Sequence, residues 1–290
     1  MNKQPNFLII GSAKSGTTTL YHHLRAHPDV FLPDFKEPHY FVRDQVLNFD
    51  IIDEHSAYQA LFNSATERLI GEASTGYLYF SGTAEKIHRE LPNCKIVALI
   101  RNPTDRAFSM WSHQIREGLE DMQFEEAVQQ ELDGTTRHNQ GTEFGFNYCR
   151  LGIISSLLKE YQGLFGIDNV FIGDYEMLRK DPIMLMNQLY EFLDLDSIRL
   201  VDPNKIYNAS GNPKFGWLHS FLNSKSLLRR AIVFPLKTLL SERVRHMAWQ
   251  KLRNWNITSG TRHTLKPETR ALLDDYFSDE RKALENLIGK

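Results

Sequence analysis

A short segment near the amino terminus places one cation among small residues and hydroxyls. Residues 7–19 read FLIIGSAKSGTTT, in which four apolar residues precede Gly11. The apolar run predicts a short buried strand, and the threonines predict the start of a helix. Such a turn directs backbone N–H groups and the positive end of the helix at one point, which favours an anion. The candidate anion ligands are Ser12, Lys14, Ser15, Gly16, Thr17 and Thr18.

The spacing of this loop separates it from the nucleoside-triphosphate loop. That loop reads GxxxxGK[ST], with the lysine directly after the second glycine. Here Lys14 comes two residues before Gly16. An ordinary turn of small residues between a strand and a helix is the alternative interpretation for the loop taken alone.

Lys36, Glu37 and His39 form a second group that could do chemistry. They lie within four residues of one another, beside Tyr40 and Phe41. A carboxylate or an imidazole in such a group can take a proton from a hydroxyl or an amine. The alternative is a surface turn with a local Lys–Glu ion pair and an unrelated histidine.

Arg101 follows the clearest strand pattern in the chain, KIVALI at residues 95–100. A continuous apolar run is typical of a buried parallel strand, and α/β sheets bind ligands at the carboxyl ends of their strands. Ser109 lies about two helical turns further on, at ~3.6 residues per turn. The donors of a guanidinium suit phosphate oxygens. A structural salt bridge is the alternative role for Arg101.

These three segments together resemble sulfotransferases that use 3′-phosphoadenosine 5′-phosphosulfate (PAPS), especially the heparan-sulfate branch. GSAKSGTTT is similar to the 5′-phosphosulfate loop, KEPHYF to the stretch that carries the general base, and RNPTDRAFS to the 3′-phosphate motif. The resemblance implies that Lys14 stabilises charge on the bridging oxygen and that Glu37 is the base. It implies that Arg101 and Ser109 hold the 3′-phosphate. In the cytosolic small-molecule branch the base is a histidine located elsewhere, so His39 remains a rival.

Three further segments extend the resemblance along the chain. YEMLRKDP begins at Tyr175, which the resemblance sets beside the adenine. A turn-forming stretch at 208–216 is similar to a loop that closes on the 3′-phosphate, with Lys214 and Gly216 as its contacts. EASTGY, residues 72–77, resembles the segment beside the acceptor. Relatives that act on polysaccharides often carry lysine where this chain has Ala73, which disfavours a highly anionic sugar polymer.

Alternating strand and helix patterns must position these residues. Strands are predicted at 7–10, 68–72, 95–100 and 169–173, and helices at 17–27, 56–62, 82–91, 104–117, 123–132, 150–165, 182–193 and 267–288. Strands that alternate with helices favour a parallel sheet. We therefore predict an α/β fold of three layers, with a central parallel sheet, helices on both faces and a P-loop-like nucleotide-binding architecture.

Composition limits the class of protein. At 290 residues and 41% hydrophobic content, the chain fits a single domain over residues 1–290 with a sizeable core. The net charge of −2 gives no general case for nucleic acid. The two cysteines, Cys94 and Cys149, lack metal-binding spacing and predict buried thiols in a reducing compartment. No apolar run approaches the ~20 residues of a membrane span, and the start is unlike a signal peptide. We expect a cytoplasmic protein.

Two segments suggest additional roles. Residues 225–253 carry eight lysines or arginines against one acid, Glu242. A basic amphipathic helix can contact an anionic membrane or acceptor, although a solvated helix face is the commoner alternative. Residues 133–147 contain three glycines and predict a mobile loop that acts as a lid over the acceptor, or a plain surface excursion.

The combined prediction is a sulfotransferase. It moves a sulfuryl group from PAPS to a hydroxyl or an amine of a small-molecule or carbohydrate acceptor by in-line transfer, leaving PAP. A sulfuryl group bears less charge than a phosphoryl group, so we predict no metal ion. The alternatives are an ATP-dependent P-loop kinase, which needs a differently placed lysine and an acidic Mg²⁺ ligand, and a non-catalytic nucleotide-binding module.

Overall fold

A parallel sheet with helices on both sides forms the framework of the protein. The computed structural model describes residues 3–44, 51–135, 143–200 and 263–288, together with residue 202 and two short strands further along. The strands are β1 (Phe7–Gly11), β2 (Val30–Phe31), β3 (Leu69–Ala73), β4 (Lys95–Ile100), β5 (Val170–Asp174), β6 (Asn212–Pro213) and β7 (Ile257–Thr258). The helices are α1 (Thr17–Arg25), α2 (His55–Ala60), α3 (Thr83–Glu90), α4 (Pro103–Glu117), α5 (Phe124–Leu132), α6 (Ser155–Phe165), α7 (Tyr175–Lys180), α8 (Pro182–Phe192), α9 (Pro267–Tyr276) and α10 (Ser278–Glu285).

The order of the strands brings the candidate site residues to one edge. The main sheet has the order β2-β3-β1-β4-β5, and each neighbouring pair is parallel. Phe7 of the central strand β1 is in register with Gly71 of β3 and Lys95 of β4. Because parallel strands end at the same edge, the segments that follow β1, β3 and β4 lie side by side there.

Alternate residues of β1 face opposite sides of the sheet. Leu8 and Ile10 pack in a core cluster with residues of α3 and α6, whereas Phe7 and Ile9 pack with residues of α1 and α8. All four side chains are fully buried, as expected for a strand covered on both faces. The predicted α/β fold of three layers, with a parallel sheet between helices, is confirmed.

A third apolar cluster holds the turn after β1 against α4 and against the junction of α9 and α10. Ala13 packs there with Ala107 and Trp111 of α4, and with Phe277, which separates α9 from α10. Thr104 adds a hydrogen bond of 2.7 Å from its Oγ1 to Asp274 in α9. The cluster thus connects the turn to the helix that follows Arg101.

The helices differ from the prediction at three places. The helix predicted for 150–165 begins only at Ser155, because the Glu280 carboxylate accepts hydrogen bonds from the backbone N–H groups of Ile154 and Ser155. The single helix predicted for 267–288 is divided into α9 and α10 at the buried Phe277. The short helix α7 was not predicted. Its first turn is capped by Asp174, whose side chain accepts from the N–H of Glu176.

Some predictions fall on residues outside the described part of the chain. These are Lys214 and Gly216, the basic segment 225–253, and residues 136–142 of the glycine-containing loop. Cys94 and Cys149 are both buried free thiols, as predicted. In the part of the chain that is described, no helix combines the length and the apolar character needed to traverse a bilayer.

Candidate active site

The turn from Ser12 to Gly16 is held to the sheet by its own hydroxyls. Ser12 is fully buried, and it donates from Oγ to the Leu99 carbonyl at 2.9 Å and from its backbone N–H at 2.7 Å. The Ser12 and Ser15 hydroxyl oxygens are 2.5 Å apart. In this structure both serines brace the turn. Their direct contact with a cofactor stays a prediction.

Gly16 joins the turn to α1 in a conformation that other residues rarely adopt. Its φ is 85°, and a Cβ at this position would lie 2.9 Å from Cδ2 of the Tyr175 ring. Its carbonyl accepts the first helical hydrogen bond, from Leu20 N at 3.1 Å. Thr17 is buried and Thr18 is half-buried at the amino-terminal end of α1, where the helix dipole favours an anion. The glycine therefore allows close packing between the turn and α7.

Lys14 lies on this turn with a positive φ of 69°. Burial lowers its pKa from 10.5 to about 7. The positive charges of Arg116, Arg101 and Lys36 act in the same direction, while Glu117 opposes them. A cation that is destabilised in this way gains most from a neighbouring anion.

Arg101 links the turn to the helix after β5. Its Nη1 donates to the Lys14 carbonyl at 3.1 Å, and its guanidinium carbon lies 4.6 Å from the centre of the Tyr175 ring. The Nε of Arg101 is buried and has no hydrogen-bond partner among the described residues. Ser109 is half-buried on α4, two residues after Ala107, which belongs with Ala13 to the third apolar cluster. A half-buried arginine with a buried, unsatisfied Nε donor, stacked on an aromatic ring, fits a nucleotide that carries an additional phosphate.

Glu37 and His39 form the second part of the site, in two left-handed backbone positions. Their φ angles are 64° and 52°. The His39 Nε2 is 3.3 Å from Oε2 of Glu37. That same oxygen accepts from Thr75 through the backbone N–H at 2.7 Å and through Oγ1 at 3.1 Å. The Lys36 ammonium forms an ion pair with Oε1.

The charge state of this pair follows from its surroundings. Burial acts to raise the pKa of Glu37, but Lys36, His39 and the Thr75 N–H outweigh it and hold the pKa below its ordinary value. Burial lowers the pKa of His39, against the attraction of Glu37. At neutral pH the site therefore holds a carboxylate beside a neutral imidazole.

Lys36 connects the two parts of the site. Its ammonium contacts Glu37, and its positive charge is one of those that lower the pKa of Lys14. The structure thus brings together the predicted residues of the turn, Arg101 and Tyr175 with the predicted proton-transfer group. It does not describe Lys214 and Gly216.

Several residues around the site were not identified from the sequence. The Tyr79 hydroxyl accepts from the Ala13 N–H at 3.0 Å. Arg106 is almost fully buried and donates to the Tyr148 carbonyl. Thr75 binds Glu37, as described above. The sequence signal for Thr75 was its place in the EASTGY segment, three residues after the predicted strand 68–72. Tyr79 and Arg106 gave no local signal.

Comparison with known proteins gives the class of the chain. The model of the Sulfotransferase domain family matches residues 4–282. Since the match covers nearly the whole chain, this protein belongs to the sulfotransferase domain family, as the sequence predicted.

Two curated relatives align along 99% of the chain. The membrane-associated sulfotransferase kil1 of Dictyostelium discoideum is 25% identical over 319 residues. The mouse bifunctional heparan sulfate N-deacetylase/N-sulfotransferase 1 is 24% identical over 292 residues. The chain spans 65% of the length of the first relative and 30% of the second. The predicted similarity to proteins of the heparan-sulfate branch is confirmed.

Solved structures share the fold. A sulfotransferase from Alicyclobacillus acidocaldarius superposes with a TM-score of 0.72 at 24% identity, covering 99% of this chain and 97% of its own. The mouse sulfotransferase SULT7A1, complexed with PAP, has a TM-score of 0.51 at 17% identity, covering 98% of this chain and 88% of its own. At these identities the likeness concerns the architecture.

Proposed function

We propose that this protein transfers a sulfuryl group from PAPS to a hydroxyl or an amine of a small-molecule or carbohydrate acceptor. The observation that carries the proposal is the arrangement at the sheet edge. A cationic turn, a stacked arginine with an unsatisfied donor and a carboxylate–imidazole pair lie together there. Membership of the sulfotransferase family and the PAP bound to the mouse protein of the same fold support the choice of cofactor.

The turn and its neighbours would hold the donor. When bound, PAPS supplies the activated sulfuryl group. Lys14 and the start of α1 would bind the 5′-phosphosulfate end, and Lys14 would stabilise the charge that develops on the bridging oxygen. Arg101 and Ser109 would bind the 3′-phosphate, and Tyr175 would lie against the adenine. Since Arg101 already stacks on Tyr175, the donor meets a preorganised surface.

Glu37 would take the proton of the acceptor. Its two oxygens receive contacts from four donors, which are the Lys36 ammonium, the His39 ring and two groups of Thr75. A carboxylate has about four lone-pair sites, so one of these contacts must give way when the acceptor hydroxyl arrives. The longest contact, 3.3 Å to His39, is the natural one to break. Before the acceptor binds, this contact orients Glu37; the alternative is that His39 itself serves as the base.

The extent of the domain, its location in the cell and its contact with an anionic surface are part of the same proposal. We propose one sulfotransferase domain over residues 1–290 that works in the cytoplasm. The basic segment 225–253 would provide peripheral contact with an anionic surface, which its eight cationic residues against one acid support. The relative kil1 is named as membrane-associated.

Calorimetric titration of the purified protein tests the proposal. We expect PAP to bind tightly, and ATP or ADP with Mg²⁺ to bind weakly. Labelled PAPS would then be offered with 2-naphthol, 1-hexanol and glucosamine, which sample a phenol, an alcohol and an aminosugar. Arg101→Ala should weaken PAP binding, while Arg281→Ala, a surface change on α10, should not. Preference for ATP, or no binding of either nucleotide, would refute the assignment.

A further inference from the structure

A buried carboxylate lies under the proposed proton-transfer group. Glu72, near the end of β3, is fully buried and receives hydrogen bonds from three hydroxyls. Tyr77 donates to its Oε2 at 2.8 Å, Tyr58 donates to the same atom at 3.1 Å, and Ser74 donates to Oε1 at 2.5 Å. We infer that Glu72 is a positioning residue that acts through Ser74 to hold Glu37 and His39 in their reactive arrangement. This inference rests on the proposed function.

The hydrogen bonds run in one direction from the backbone of His39 to Glu72. The His39 N–H, which can only donate, is 3.0 Å from Oγ of Ser74. The Ser74 hydroxyl accepts this bond, so its own proton is free to point at Glu72. Because Glu72 is anchored by Tyr58 and Tyr77 from the other side, the acceptor of the Ser74 proton is fixed in place. The position of Ser74 therefore fixes that of the His39 backbone.

The segment that Ser74 holds needs such support. Glu37 and His39 both adopt left-handed backbone conformations, which are uncommon for residues other than glycine and persist only where the surroundings enforce them. The Glu37 N–H donates to the Ala73 carbonyl at 2.9 Å, and the Ser74 N–H donates to Ile9 of β1 at 3.0 Å. These bonds tie the strained segment to the sheet directly beside Ser74.

The contact with Gly76 adds a second constraint on His39. A Cβ at Gly76 would lie 2.9 Å from Nδ1 of the His39 ring. The ring of Tyr77, the same residue that binds Glu72, meets the His39 ring edge to face at 6.5 Å. The segment from Glu72 to Tyr77 thus contacts both the backbone and the ring of His39, and through Thr75 it also contacts Glu37.

Stability alone does not account for a carboxylate at this position. Desolvation penalises a buried charge even when it is hydrogen-bonded, and here burial raises the pKa of Glu72 to about 7 against the three hydroxyls. A neutral side chain would avoid that penalty. The ionised form, which predominates above about pH 7, instead gives a strong acceptor for the Ser74 hydroxyl, which supports a role in positioning.

The decisive variant is Ser74→Ala, which removes the hydroxyl between His39 and Glu72. We expect the kcat for sulfuryl transfer from PAPS to fall about tenfold or more, with the fastest of 2-naphthol, 1-hexanol and glucosamine as the acceptor. The Kd for PAP should stay within about twofold of wild type. In NMR of the labelled protein, hydrogen exchange of the His39 amide should become at least about tenfold faster. If none of the three acceptors is turned over, this exchange rate by itself tests the positioning role.

The chain offers a matched control. Ser155 is also buried and donates from Oγ to a buried carboxylate, Glu280, at 2.7 Å, but it is the first residue of α6 and its carboxylate partner belongs to α10. Ser155→Ala should lower the melting temperature comparably and leave both the kcat and the His39 amide unchanged. If Ser74→Ala does not fold, Glu72→Gln replaces it as the test variant and Glu280→Gln replaces Ser155→Ala as the control. Glu72→Gln should lower kcat at least about threefold at unchanged PAP affinity, and Glu280→Gln should not.

The possible results distinguish a failure of the positioning role from a failure of the proposed function. If Ser74→Ala loses stability like Ser155→Ala but keeps wild-type kcat and His39 exchange, the positioning role is refuted and the proposed function stands. The same conclusion follows if Glu72→Gln is kinetically identical to Glu280→Gln. If the wild-type protein does not bind PAP, the proposed function fails, and the inference fails with it.

Discussion

The affinity for PAP should fall steeply as pH rises through the neutral range, because of Lys14. Burial and the cations Arg116, Arg101 and Lys36 set the pKa of Lys14 at about 7 in the free protein. A phosphate dianion beside the ammonium raises that pKa again, since an opposite charge favours the charged form. Binding above pH 7 must therefore be coupled to proton uptake by Lys14.

The size of the effect follows from the shifted pKa. If only protonated Lys14 binds well, the apparent Kd grows as 1 + 10^(pH − pKa), with a pKa of about 7. The Kd then rises about fivefold from pH 7 to pH 8 and about fiftyfold from pH 7 to pH 9. The phosphates of PAP contribute little over this range, because their second pKa lies near 6.

Calorimetry at pH 7, 8 and 9 measures this dependence. Two buffers of different ionisation enthalpy at pH 8 should reveal uptake of nearly one proton per PAP bound. The control is Lys14→Arg, which keeps a cation at every pH used and should bind with a Kd that changes little. A wild-type Kd that varies less than about twofold, or an equal slope in Lys14→Arg, would show that Lys14 does not meet the 5′-phosphate.

Three further predictions concern the same site. Arg101→Ala should raise the Kd for PAP by about 10- to 100-fold, because a hydrogen bond to a charged group contributes about 1.5–3 kcal/mol; an unchanged Kd in calorimetry would exclude the 3′-phosphate contact. Glu37→Gln should lower kcat at least about 100-fold at unchanged PAP affinity, whereas full activity would transfer the role of base to His39 or another residue. Gly16→Ala should destabilise the protein by about 1–3 kcal/mol and weaken PAP binding, since the new Cβ meets Tyr175 at 2.9 Å in a left-handed position. Thermal unfolding checks this last change, and a wild-type melting temperature would contradict the close packing described here.

Local patterns were sufficient for most of the framework. The apolar runs of β1 and β4 identified buried parallel strands, because a strand covered on both faces must be apolar at every position. The sequence also predicted that Lys14, Arg101 and Glu37 belong to one site, although this relied on a family resemblance. The divided helix near Phe277 was not predicted, since its amphipathic pattern continues across the break.

The sequence by itself therefore determined the class of fold, the family and the types of residue at the sheet edge. Only the tertiary structure decided which other residues hold these site residues in place or shift their pKa values. Glu72 and Ser74 lie 35 positions or so from Glu37 and His39 along the chain, and Arg116 lies about 100 positions from Lys14, whose pKa it lowers. Such contacts form because β1, β3 and β4 are neighbours in the sheet. A local pattern contains no information about which strands become neighbours, because that choice depends on the burial of apolar surface along the whole chain.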